Sequence, residues 1–399
     1  MPDTPSLHPQ KARFYELDIL RGVAAILVIT FHYKHFFLIN MAIGFDYADM
    51  PFQGLLKPVY LYGQRFVELF FSISGYVFFW LYSEAVASRR TSAVSFFVAR
   101  FARLYPLYFV TFICVAIMQG IYVSLYGVEY IYTGNTPVNF LLNLFMVHQW
   151  VPSAPQSFNG PSWSISVEVF LYLLFFLVCY FRQNRMLVLT GLFLLGAIFK
   201  YIHVMEPNDF ARGMPSFFLG GIVYYGVRYL CEPQNIRWRR GVTLTLAIVL
   251  PIIWIVSYMN GRVEPPADPS ANLINYFLNT ESFIYIVLPL SVMMLGLMQD
   301  RWKTRLLDRA HLHRLSWLGD ISYSIYLLHF PLQLALMLVL SRWPLVQRVQ
   351  WFGSPLAFVA FMATVMGLGW LSHRYFEMPT QRFLRAWLTQ RLAKAEVVK

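Results

Sequence analysis

"RGVAAILVITFHYKHF", residues 21–36, decides how the rest of the chain is read. Most of it is apolar enough to sit in lipid, yet it carries Arg21, His32, Lys34 and His35. A titratable group inside hydrocarbon is costly, and where one occurs it faces a bundle interior or a water-filled cavity. The stretch points to a polytopic membrane protein whose first span carries chemistry on its inner face.

Composition agrees. The 399 residues are 58% hydrophobic and 13% charged, with a mean hydropathy of +0.51, more apolar surface than a soluble domain can hide. Runs approaching the roughly 20 apolar residues that cross about 30 Å of hydrocarbon lie at 19 to 39, 66 to 82, 104 to 125, 164 to 181, 186 to 203, 213 to 230, 241 to 259, 278 to 298, 316 to 340 and 354 to 375. The predicted fold class is an all-α integral membrane protein, a bundle of about ten transmembrane helices. It divides into a cytoplasmic N-terminal segment 1–18, a transmembrane domain 19–375 and a basic cytoplasmic tail 376–399.

Charge decides whether the short apolar stretch "VNFLLNLFMVHQW" (138–150) also crosses. If it does not, the ten spans alternate from a cytoplasmic N-terminus. Twenty-three Lys and Arg then lie inside and seven outside, and Arg21 and Lys34, within a span, complete the 32. If it does, the basic loops "RYLCEPQNIRWRR" and "RWKTRLLDRAHLHR" face outward, against the positive-inside bias. We therefore expect both termini inside, a multi-pass protein of the inner cell membrane, and a re-entrant or interfacial helix near 138–150.

The net charge of +12 is spread over many short loops and gathers on no basic domain, which argues against a nucleic-acid partner. Cys114, Cys179 and Cys231 have neither a disulfide framework nor metal-ligand spacing, and no metal is expected. The first apolar stretch is interrupted by charge and lacks a small-residue cleavage site, so it should stay attached. No GxSxG, Walker loop, HExxH or dinucleotide fingerprint stands in a usable context. Chemistry must rest on intramembrane polar residues.

Arg21 and His32, eleven residues apart, return to within about 20° of one helical face and lie about 16 Å apart along the axis. Glu68 in "FVELFFSISGYVFF" and Glu168 in "PSWSISVEVFLYL" enter from outside at a depth His32 can approach. Either carboxylate could fix the imidazole's tautomer and make it a general base. The plainer alternatives are a packing histidine on a backbone carbonyl and carboxylates paired with an arginine such as Arg65. In "FFVARFARLYPLYF", Arg100 and Arg103 lie three apart on one helical face, with forks suited to phosphate oxygens. Juxtamembrane arginines also serve topology and lipid headgroups.

Six segments in order resemble the acyltransferase-3 family of membrane O-acyltransferases: "LDILRGVAAILVITFHY", "VELFFSISGYVFF", "RFARLYP", "PSWSISVEVFLYL", "ISYSIYLLHFPL" and "YFEMPTQRF". The match runs through nearly the whole chain. It implies transfer of an acyl group, commonly acetyl, from cytoplasmic acyl-CoA to a hydroxyl of an extracytoplasmic or membrane-linked carbohydrate or glycoside. His32 is the implied catalytic residue, as general base or covalent acyl relay, with Glu168 or Glu68 behind it. Arg21, Arg100 and Arg103 are the implied acyl-CoA-binding residues. Trp163, Tyr323, Tyr326 and His329 are candidates to line the acceptor path, or to form a polar seam beside a kink at Pro331. Glu377 and Arg374 should form a local pair closing the last span. Only 376–399 follows the last span, so any soluble esterase-like partner is expected to be a separate protein. The competing class is a transporter or flippase of a polar or anionic substrate, which would also place Arg, His and Glu in the membrane; no internal repeat supports it.

Overall fold

The computed structural model describes residues 14–39, 42–43, 47–151, 155–201, 210–260, 283–298 and 312–397. Most of the N-terminal segment, most of the external stretch 260–277 and the basic residues 301–309 lie outside the described residues. In chain order the helices are α1 Tyr15–His32, α2 Gln53–Tyr62, α3 Phe66–Ala87, α4 Ala93–Tyr126, α5 Pro137–Leu144, α6 Trp163–Tyr180, α7 Met186–Tyr201, α8 Phe210–Leu230, α9 Ile236–Asn260, α10 Leu288–Leu297, α11 Trp317–Leu340, α12 Leu345–Phe352, α13 Pro355–Ser372 and α14 Met378–Val397. A two-residue antiparallel ladder pairs Leu38 with Ile43 and Ile39 with Ala42.

Apart from that short ladder the described residues are helical or in connecting turns, and the chain is a membrane protein. Among the described residues six helical stretches are long and apolar enough to cross: Gln53–Ala87, Ala93–Tyr126, Gly160–Tyr180, Pro233–Met259, His313–Leu340 and Pro355–Arg391. Met186–Lys200 and Phe283–Leu297 are shorter apolar helices. The remaining expected spans fall on α1, which carries Glu16, Asp18 and Arg21, and on α8, which carries Arg212 and Arg228. Within 138–150 only α5 is helical, and its eight residues reach roughly 12 Å at 1.5 Å per residue, too little to cross. Thr136 caps it, with Oγ1 accepting from the Asn139 amide at 3.2 Å, and Pro137 opens it. The Tyr108 hydroxyl holds its end by donating to the Asn143 carbonyl at 2.8 Å.

Two close helix crossings place the functional groups. A Cβ at Gly22 on α1 would strike Leu318, and one at Gly319 on α11 would strike the Asp18 backbone, so α1 and α11 meet main chain to main chain. Gly75 on α3 faces the Phe217 backbone of α8, and Gly220 faces that of Ser72. Without the hydrophobic effect to drive helices together in lipid, such small-residue contacts and polar seams carry the association.

The structure corrects two expectations. α1 stops at His32, and Tyr33–Phe37 continues as a 3-10 turn. The turn is anchored by the Tyr33 hydroxyl on the Phe352 carbonyl at 3.0 Å and by Phe36 stacked on Phe352 at 4.1 Å. Glu377 does not pair with Arg374. It accepts from Ser324 at 2.6 Å and meets His373 Nδ1 at 3.4 Å, while Arg374 lies over Trp370 and Tyr375. From there α14 runs on and packs against α4.

Candidate functional site

Two chambers lie back to back, with Val67 of α3 lining both. The one at the His32 end of α1, called the outer chamber for that end alone, is about 320 Å³ and is lined by His32, His35, Lys34, Arg212, Trp163 and Tyr132 among others. The inner one, about 70 Å³, is lined by Arg21, Arg103, Glu168, Tyr172, Ser74, Ser164, Tyr323 and Tyr326 together with apolar side chains. Along α6 the division falls between adjacent residues, Trp163 outside and Ser164 inside.

In the outer chamber His32 is the last residue of α1 and is 8% exposed. Its ring stacks on His329 of α11 at 5.0 Å and an interplanar angle of 22°, and lies 5.1 Å from the ring of His35. The carbonyl at the helix end, which has no intrahelical donor, accepts from Gln333 Nε2 at 2.8 Å. His329 is held by Nδ1 against the Tyr326 carbonyl at 2.6 Å; the carbonyl can only accept, so Nδ1 carries the proton. The imidazoles stack, and among the described residues no group of three or more His, Cys, Asp or Glu is arranged to hold a metal ion.

Neither carboxylate hydrogen-bonds His32. Glu68, 2% exposed, pairs through Oε1 with Arg212 Nε of α8 at 2.8 Å, and that guanidinium lies 4.6 Å over the Trp163 ring. Glu168 lies in the inner chamber, where Oε1 accepts from Ser74 Oγ at 3.2 Å and from the Tyr172 hydroxyl one turn along α6. The expected pairing fails because depth along a helix says nothing of azimuth, and the carboxylates are taken by Arg212, Ser74 and Tyr172 instead.

The arginines also divide. Arg21 and Arg103 line the inner chamber, whereas Arg100 donates to the Tyr82 hydroxyl at 2.9 Å and lies beside Phe78. Tyr323 and Tyr326 line the inner chamber, the former tied to the Leu104 carbonyl at 2.6 Å and the latter to Ser164 at 2.8 Å. His329 joins the imidazole cluster instead.

The profile of the acyltransferase-3 family, described as an acyltransferase domain, matches residues 14–374, and so spans both chambers. The chain belongs to the acyltransferase-3 family. Among its relatives, acyltransferase MdmB of Streptomyces mycarofaciens is 30% identical over 42% of this chain and 39% of its own length. Protein 2 in the picA locus of Rhizobium radiobacter is 35% identical over 29% of this chain and 48% of its own length. A protein of the Acidianus two-tailed virus, ORF330, whose name makes it a candidate acetyltransferase, is 23% identical over 60% of this chain and 65% of its own length. Each match therefore spans less than two thirds of the relative. No solved structure matches the chain.

Three site residues escape sequence reasoning. His35 is visible in the opening stretch but belongs to the site only because a 3-10 turn follows His32. Gln333 and Arg212 carry no signal of their own beyond being polar in apolar surroundings.

Proposed function

We propose that the protein transfers an acyl group, in the first instance acetyl, from cytoplasmic acyl-CoA to a hydroxyl of an extracytoplasmic or membrane-linked carbohydrate or glycoside. The observation that carries this reading is the shared wall at Val67, with Arg21 and Arg103 on one side and His32 and His35 on the other. Arg21 and Arg103 are suited to the donor's phosphates. The positive-inside count supports a cytoplasmic position for them, and the reading keeps ten spans within 19–375, both termini inside and the inner cell membrane as the setting. Trp163 and Arg212 offer an aromatic face and a cation to the acceptor in the outer chamber.

At the wall, His32 takes the proton of the acceptor hydroxyl as its oxygen bonds the thioester carbonyl carbon. The C–S bond then breaks and the departing thiolate takes the proton from the imidazolium. Glu168 holds Tyr172 and Ser74 beside the arginines, and Glu68 holds Arg212 over Trp163. The test is CoA release from acetyl-CoA by the purified protein in membranes, with and without an envelope-glycan fraction, beside His32→Ala. Glycan-dependent release that the variant loses, while still binding acetyl-CoA, is expected. Full activity in the variant would remove His32 from the mechanism, and absence of acetyl-CoA binding by the wild type would overturn the donor assignment.

A further inference from the structure

We propose that His35, with its tautomer set by Gln333, is a specificity-determining residue: its Nε2 accepts a hydrogen bond from a second acceptor hydroxyl, adjacent to the one acylated. The role rests on the acyl-transfer reading above. The protonation state of His35 follows from two hydrogen bonds of one buried amide. Gln333 on α11 is fully buried. Its amide nitrogen must face the His32 carbonyl, 2.8 Å away, because a carbonyl can only accept. The amide oxygen is thereby turned to His35 Nδ1 at 3.2 Å, and Nδ1 has to donate. A neutral imidazole protonated at Nδ1 presents its lone pair at Nε2. The ring lines the outer chamber, and Nε2 has no hydrogen bond among the described residues.

The 3-10 turn aims that lone pair. With three residues per turn, positions i and i+3 eclipse, so His32 and His35 stand one above the other, 5.1 Å between centroids. Phe330 and Tyr132 hold the His35 ring edgewise at 6.0 and 5.8 Å. A hydroxyl has one proton, so a group giving its proton to His32 cannot also donate to His35. Two hydrogen-bond acceptors side by side suit two neighbouring hydroxyls, the arrangement found around a sugar ring. One reacts and the other positions. A site that hydrogen-bonds a substrate hydroxyl discriminates against analogues lacking it.

Two measurements test this, and they fail separately. Nitrogen-15 spectra of histidine-labelled protein in nanodiscs should show His35 protonated at Nδ1, with the preference lost in Gln333→Met; a proton on Nε2 in the wild type, or no change in the variant, would overturn the assignment. With the envelope-glycan fraction as acceptor, His35→Phe, which keeps a ring of similar shape, should raise the acceptor KM roughly tenfold, the worth of about one neutral hydrogen bond. The KM for acetyl-CoA should not move. His35→Gln, which keeps an acceptor oxygen near the Nε2 position, should recover most of the loss. Unchanged acceptor KM in His35→Phe would overturn the role. Absence of transfer in the wild type would strike the acyl-transfer reading, while the spectra still decide the tautomer.

Discussion

Glu68 is 2% exposed and faces one arginine. Removing one partner from a buried pair costs about 3–5 kcal/mol, because the charge left behind is neither paired nor solvated. Arg212→Ala should therefore lower the unfolding temperature in detergent markedly, and adding Glu68→Gln to it should restore part of the loss. A double variant no better than the single would mean that the pair's worth lies in how Arg212 packs on Trp163. The eleven-residue spacing of Arg21 and His32 is readable in the sequence, because helical periodicity fixes which face a residue occupies. The company of His32 is not. Glu68 and Glu168 stand at a suitable height, but Glu68 is taken by Arg212 and Glu168 by Ser74, both from distant parts of the chain, and by Tyr172 one turn along its own helix.

At the scale of the element, α4 shows how much one turn can separate. Arg100 and Arg103 share a face in the i,i+3 sense, yet Arg103 reaches the inner chamber and Arg100 is spent on Tyr82. A charge-assisted hydrogen bond contributes about 1.5–3 kcal/mol, so on the proposed reading Arg103→Gln should raise the KM for acetyl-CoA tenfold or more. Arg100→Gln should change it far less, and equal effects would mean that the donor reaches past the inner chamber. α11 offers a second case. Pro331 has no N–H for the Leu327 carbonyl, and Asn159 Nδ2 donates there at 3.2 Å instead. Asn159→Leu should cost about 1–3 kcal/mol in thermal unfolding, and less in a Pro331→Ala background, where the helix can supply its own donor. The missing backbone donor is legible from the proline; the residue that satisfies the Leu327 carbonyl, 168 positions away in sequence, is not.

For the molecule as a whole, hydropathy carries the helical architecture, because bilayer thickness acts on composition alone, while the positive-inside bias carries only the expected orientation. They locate the helices well and the helix ends poorly: α1 halts at His32 where the apolar run continues to Ile39. A reporter that is active only in the cytoplasm, fused after Lys399, should be active, and one inserted in the loop around Gly134 should be silent. The reverse pattern would invert the chambers, turning Arg21 and Arg103 away from any cytosolic donor.

The Val67 wall has an energetic corollary. Val67 lines both chambers, and on the proposed reading these open to opposite faces of the bilayer, so that the acyl group alone has to pass that wall. On the proposed reading, neither the nucleotide nor the sugar has to travel. The group-transfer potential of the thioester supplies the work that a pump would draw from ATP or an ion gradient, and the bilayer stays sealed because only a bond crosses it.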